Sequence, residues 1–232
     1  MSATATSPDI RSVPSAGATA ASAATRLFAA RWIVLAVVLA ADVMDLIDAT
    51  IVNVAGPTIR HDLGGGASTL QWLGAAYTLT FAVLLVTGAR LGDIFGRRRL
   101  FLIGSAGFTA MSAACALAPS PEILIGLRAL QGGFGALVIP QGFGLIKEVF
   151  PEDEMSKVFA TFGPVMGLSA IVAPILAGVL IDADLLGTGW RMVFLINVPV
   201  GIAALAAAVK VLPRGAATPG TRLDLIGMVL LG

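Results

Sequence analysis

Six apolar runs follow one another along this chain, each close to the length that crosses a lipid bilayer as a helix. Such a helix needs ~20 consecutive apolar residues. In lipid, every backbone N–H and C=O must be satisfied within the chain, which restricts spanning structures to helices and closed barrels. The runs set limits near 32–56, 70–91, 100–118, 122–149, 157–181 and 191–212, and "LQWLGAAYTLTFAVLLVTGARL" and "LFLIGSAGFTAMSAACALA" are the plainest of them. Composition agrees: 57% of the 232 residues are hydrophobic and 12% are charged, against about 25% charged in a soluble domain. The expected fold is an all-α membrane protein, a six-helix transmembrane bundle at 31–212. Residues 1–30, rich in Ala, Ser and Thr, read as a disordered cytoplasmic tail, too poor in bulky side chains to fold alone. Residues 213–222 read as a polar cytoplasmic connector. Residues 223–232, "LDLIGMVLLG", open a partial seventh helix too short to span, so the chain reads as truncated.

Basic residues orient the bundle. With the N-terminus inside, Arg60 and Arg191 fall outside and Arg128 falls within a span; the other twelve of the fifteen lysines and arginines fall inside. That bias predicts a cytoplasmic N-terminus and a multi-pass protein of the cell membrane. A net charge of +1 gives no reason to expect nucleic acid as a partner. The single cysteine, Cys115, sits in an apolar run and reads as a small buried hydrophobe.

Charges inside the spans carry the functional signal. Asp42, Asp45 and Asp48 interrupt the first run in "DVMDLIDATIVNVAGP". One charge at the centre of a spanning helix costs ~2.5–3.5 kcal/mol on insertion scales. Steps of three residues keep the three carboxylates within a sector of about 120° on a helix. That face must border a partner helix or a wet cavity. Burial and mutual repulsion both favour the protonated form, so at least one of the three can hold a proton near neutral pH and trade it for a cation. Arg128, in "GLRALQGG", is the second intramembrane charge, about 10 Å into the fourth run. Its depth is compatible with pairing to Asp48.

Between the second and third runs lies "GARLGDIFGRRRL". Gly92 allows close backbone approach, Asp93 can cap or pair at a helix end, Gly96 makes a tight turn, and Arg97 and Arg98 face the inner leaflet. This stretch resembles the loop 2–3 signature of the major facilitator superfamily, with Ala89 where a glycine is usual and Ile94 where a basic residue is usual. In that family the loop latches the two transporter halves in the outward-open state.

Further stretches resemble the drug:H+ antiporters with 14 spans. "LIDATIVNVAGP" is similar to their helix 1 signature through Asp48, Thr50, Asn53 and Pro57, with Gly56 in place of the usual Leu. Arg128, Gln131 and Gly132 resemble the helix 4 signature, whose arginine the family implicates in proton relay. In the fifth run, Pro174 and Gly178 match the core of the antiporter signature, while Ser169, Ala173 and Ala177 stand for glycines. Gly163, Pro164 and Gly167 soften the same helix lower down. These small residues and prolines are expected to bend helix 5 and seal it closely on its neighbours. "GWRMVFLINVPVG" resembles the stretch that opens helix 6 in 14-span exporters.

Other chemistries lack their residues. The lone histidine, His61, has no metal partners at ligand spacing. "GGG" at 64–66 carries no Lys-Ser/Thr for a phosphate loop. No metal, cofactor or enzymatic nucleophile is expected, so transport must run on an ion gradient. The resemblance implies the N-terminal half of a proton-coupled multidrug exporter acting on small lipophilic cations, facing a C-terminal half that this chain lacks. The alternatives are export of an endogenous metabolite or amino acid, and a truncated membrane fragment that does not transport.

Overall fold

The computed structural model describes residues 16–184 and 187–213, with side chains described from Ala30 onward. The described residues form seven α-helices: α1 (Ala16–Leu63), α2 (Ala67–Phe95), α3 (Arg97–Ala116), α4 (Pro121–Val149), α5 (Met155–Asp182), α6 (Met192–Leu195) and α7 (Asn197–Val211). Short 3-10 turns at Glu152–Glu154 and Gly189–Arg191 lead into α5 and α6.

Among the described residues, five stretches are long and apolar enough to cross a membrane: α2, α3, α4, Glu152–Asp182 and Gly189–Val211. The last of these makes the sixth span from two pieces, because the helix is interrupted at Ile196 between α6 and α7. α1 is long enough to span but carries its three aspartates mid-helix. It completes the six spans by turning them inward: Asp42, Asp45 and Asp48 are 1%, 8% and 0% exposed.

Several helix limits differ from those expected. α1 continues through Pro57 to Leu63, and it begins at Ala16, within the stretch expected to be a disordered tail. Residues 1–15, most of the connector at 213–222, and the partial seventh helix at 223–232 lie outside the described residues. The expected loop at 92–99 shrinks to Gly96. This residue takes φ 92°, which only glycine adopts without strain, and its N–H donates to the Gly92 carbonyl at 2.9 Å. α4 starts as its sequence dictates: Ser120 Oγ accepts from the Ile123 N–H at 3.4 Å, Pro121 follows at the first helical position, and Glu122 meets the positive end of the helix dipole.

α4 packs against α2 and α3, while α1 packs against α5, α4 and α7. Lipid gives little hydrophobic drive for helix association, so close packing and interhelical hydrogen bonds must supply it. Glycine allows the closest approach: a Cβ on Gly132 would strike the Tyr77 carbonyl oxygen, and one on Gly88 the Ala136 carbonyl oxygen. Among the described residues, the packed interior holds two large apolar clusters and a small third of Met44, Tyr77 and Phe108. One gathers Val34, Leu35, Val38, Phe101, Leu145 and Phe150. The other gathers Ile51, Ile59, Leu73, Leu124, Trp190 and Phe194. Because α1 contributes to both, its segment 42–48 falls between them.

Candidate functional site

The layer between the two large clusters is polar and buried. Arg128 of α4 donates from Nη1 to Asp48 Oδ2 of α1, and both side chains are 0% exposed. Asp48 Oδ1 accepts from Gln131 Nε2 at 3.0 Å and from Asn197 Nδ2 at 2.7 Å. Ser112 Oγ accepts from the same two amides, at 3.0 and 2.9 Å. Arg128 Nη1 also donates to Gln131 Oε1 at 2.9 Å, and its Nε donates to the Leu73 carbonyl at 3.5 Å. The guanidinium lies 4.3 Å from the Tyr77 ring centroid and 5.8 Å from that of Phe194, so aromatic faces add to its stabilisation. Removing two charges from water is costly, and only such dense hydrogen bonding repays it.

The other aspartates are held differently. Tyr77 of α2 donates its hydroxyl to Asp45 Oδ1, and Gly135 of α4 leaves the space that Asp45 occupies. Among the described residues, neither oxygen of Asp42 meets a hydrogen-bond donor. The expected shared face of the three carboxylates is therefore real, and it borders partner helices throughout. Asn53 is not part of it: this residue points to the exposed side of α1 and makes no described bond to the layer.

Three contributors escaped the sequence reading: Asn197, Ser112 and Tyr77. Asn197 stood in plain sight as an amide inside an apolar run, and Tyr77 is the chain's sole tyrosine. Cys115 is buried as expected, but it is more than a small hydrophobe, since its thiol lies 3.7 Å from Gln131 Oε1.

The 88–100 stretch assembles at the end of the bundle that carries the first cluster. Gly92 is buried against Gln141, whose Nε2 donates to the Gly88 carbonyl at 2.7 Å. Asp93 pairs with Arg97 at 3.1 Å, and Arg97 also approaches Glu148 at 3.9 Å. Arg98 Nη2 donates to the Val209 carbonyl at 2.7 Å, satisfying the last turn of α7. These partners all lie within the described bundle. At the opposite end, beyond the first span, Asp62 accepts from Trp190 Nε1 at 2.8 Å and from Arg191 Nη1 at 2.6 Å. The Trp190 indole first, and then Arg191, hold the Asp62 carboxyl below its usual range.

Helix 5 packs through part of its small-residue stripe: Ser169, Ala173 and Ala177 are buried. α5 is continuous through Pro164 and Pro174. A Cβ on Gly163, Gly167 or Gly178 would meet nothing within 4 Å, so these glycines do not seal α5 onto neighbours in this chain. Its buried face is made by Val158, Ser169, Ala173, Ala177 and Leu180. The glycines lie off that face, and exposed Leu168, Ile171, Ile175 and Val179 cover the opposite side. An apolar groove of about 260 Å³ lies between α2 and α4, lined by Thr80, Leu84, Gly88, Gly133, Phe134 and Leu137 among others.

Comparison with known proteins agrees with this architecture. The chain is 55% identical over 204 residues to a probable actinorhodin transporter of Streptomyces coelicolor, covering 88% of this chain and 35% of that protein. It is 39% identical to the tetracenomycin C resistance and export protein of Streptomyces glaucescens, covering 86% and 37%. It is 35% identical to the multidrug efflux pump LfrA of Mycolicibacterium smegmatis, covering 89% and 40%. The chain thus spans little more than a third of the length of these relatives. Its fold is similar to a crystal structure of the peptide transporter POT in complex with sulfate, at TM-score 0.68 and 16% identity, covering 86% of this chain and 42% of the other. The family model of the Major Facilitator Superfamily matches residues 38–227, well over half of the sequence, and the chain belongs to that superfamily.

Proposed function

We propose that this chain forms the N-terminal six-helix half of a proton-coupled exporter of small organic molecules, with lipophilic cations as the preferred class. The observation that carries the reading is the Asp48–Arg128 pair, fully buried among amides in the middle of a membrane bundle. Intramembrane ionisable groups are expensive and mark ion or substrate pathways. The relatives named for actinorhodin, tetracenomycin C and multidrug efflux support export as the direction and organic molecules as the cargo. The basic bias supports a cell-membrane protein with a cytoplasmic N-terminus. The partners of this half are then the lipid bilayer, protons and a facing C-terminal half.

The test is uphill export of tetraphenylphosphonium by the complete transporter in proteoliposomes under an imposed proton gradient. Asp48→Asn keeps size and hydrogen bonding but loses the charge, and Arg128→Lys keeps the charge but loses the planar fork. Both variants are expected to insert and to abolish uphill export. Normal proton-driven export by both, or uphill export by the 232-residue chain alone, overturns the reading.

A further inference from the structure

The three aspartates of α1 occupy one helix face, one turn apart, yet their surroundings are graded. Asp48 receives three donors, one of them a guanidinium. Asp45 receives one, the neutral hydroxyl of Tyr77. Asp42 receives none, although it is 1% exposed. Successive members are ~4.5 Å apart along the axis, too close for one charge to ignore the next. The groups that bear on Asp42 are Asp45, and beyond it Asp48, on its own helix; Tyr77 of α2 acts through Asp45, and Arg128 of α4 is engaged by Asp48. Among the described residues no cation bonds Asp42, and the Arg128 Nη2 that Asp48 leaves unpartnered makes no bond to it.

An ionised carboxylate buried without a donor or a cation is the most costly state in this set, and such a group neutralises instead. A carboxylate that accepts from a guanidinium and two amides is instead held in place by charge-assisted hydrogen bonds. We infer that Asp42 is the carboxylate at which this half holds its exchangeable proton, with the Asp48–Arg128 pair as a fixed charge framework that positions α1 against α4. This rests on the exporter reading and deepens it. Release breaks the Asp42 O–H bond and passes the proton to water when the bundle opens around α1, leaving a carboxylate that can take a cation. Uptake is the reverse.

The test is infrared spectroscopy of the lipid-reconstituted chain near neutral pH, reading the C=O stretch of a protonated carboxylic acid. Wild type should show that band, shifted to lower frequency in D2O as an exchangeable O–H requires. Asp42→Asn should lose it while keeping helical content by circular dichroism. Asp42→Glu should retain a displaced band, which covers the case in which the asparagine variant fails to fold. Asp48→Asn should leave it in place. Absence of the band from wild type, no shift in D2O, or its persistence in folded Asp42→Asn overturns the assignment. These outcomes are separate from the exporter reading, which stands or falls on tetraphenylphosphonium export by the Asp48 and Arg128 variants.

Discussion

Arg128 reaches from α4 to Asp48 on α1, and neither side chain is exposed at all. Removing one partner of such a pair strands the other in a dry interior, at a cost of about 3–5 kcal/mol. Arg128→Met should therefore destabilise the bundle by that order, and Asp48→Asn by somewhat less, since its amide still accepts from Gln131 and Asn197. The double variant should cost less than the sum of the two, because it strands no charge. A double-mutant cycle in denaturant titrations of the micelle-embedded chain measures this coupling; simple additivity would mean the pair is not a unit.

The glycines divide into two classes with opposite expected effects. Gly132→Ala places a methyl group against the Tyr77 carbonyl, and Gly88→Ala places one against the Ala136 carbonyl. Backbone cannot swing aside, so each should lose about 1–3 kcal/mol by overpacking. Gly167→Ala and Gly178→Ala meet open space within α5 and should gain up to about 1 kcal/mol in this chain. Thermal unfolding of the four single variants separates the classes. Equal losses in all four would contradict the α2–α4 packing described above.

This contrast shows what the sequence can and cannot disclose. Apolar runs of the right length revealed the spans, because insertion depends on summed hydropathy. The charges Asp48 and Arg128 stood out against that background, and their depths in neighbouring runs made pairing legible. Ser112 perturbs hydropathy too little to stand out, and the amide of Asn197, though visible in its apolar run, has no spacing that ties it to Asp48, so one of the three donors to Asp48 was hidden. The small-residue stripe of α5 was visible, but periodicity does not say which way it turns. The side that packs inward carries alanine and serine at 169, 173 and 177, and the glycines lie off that side. The interruption at Ile196 has no glycine to announce it; Pro199, three residues on, lacks the N–H that would bond the Leu195 carbonyl and crowds that carbonyl with its ring.

Asp62 gives a pH-sensitive contact at the end of the bundle that carries Trp190. Its carboxyl is held below the ordinary value by the Trp190 indole and by Arg191, so the contact is fully present above the unfolded carboxylate value of about 3.9. It is lost as pH falls through the lower folded value. The pair is partly exposed, and its contribution should stay under about 1 kcal/mol. The indole N–H resonance of Trp190 should hold constant through the neutral range and move only in strong acid. In Asp62→Ala it should sit at the acid position at every pH. A Trp190 resonance that titrates near neutral pH would contradict the bond to Asp62.

Orientation can be read with thiol labelling. Native Cys115 is buried, so background reaction should be low. His61→Cys and Arg99→Cys place thiols at exposed sites at opposite ends of the bundle. In intact cells a membrane-impermeant maleimide should label position 61 directly and position 99 only after permeabilisation. The reverse pattern would place the N-terminus outside and overturn the orientation drawn from the basic residues.

The last expectation concerns substrate charge. If Asp42 gives up a proton to take a cation, the proton and the cation compete for one carboxylate. Raising the pH removes the competitor, so affinity for tetraphenylphosphonium should rise with pH, by at most about tenfold per unit for a single proton. The rise should flatten once Asp42 is mostly ionised. Asp42→Asn removes the site of competition, so its binding should be weaker and independent of pH. Asp45→Asn keeps Asp42 but removes the adjacent carboxylate, so the rise should survive. The Asp48–Arg128 pair is common to all three proteins, so the comparison isolates the two outer aspartates. The measurement is equilibrium binding of tetraphenylphosphonium to the purified complete transporter across the neutral range, with tetraphenylborate as the anionic control. Flat dependence in wild type, or tighter binding of tetraphenylborate, would remove these carboxylates from cation exchange and favour an endogenous metabolite as the cargo.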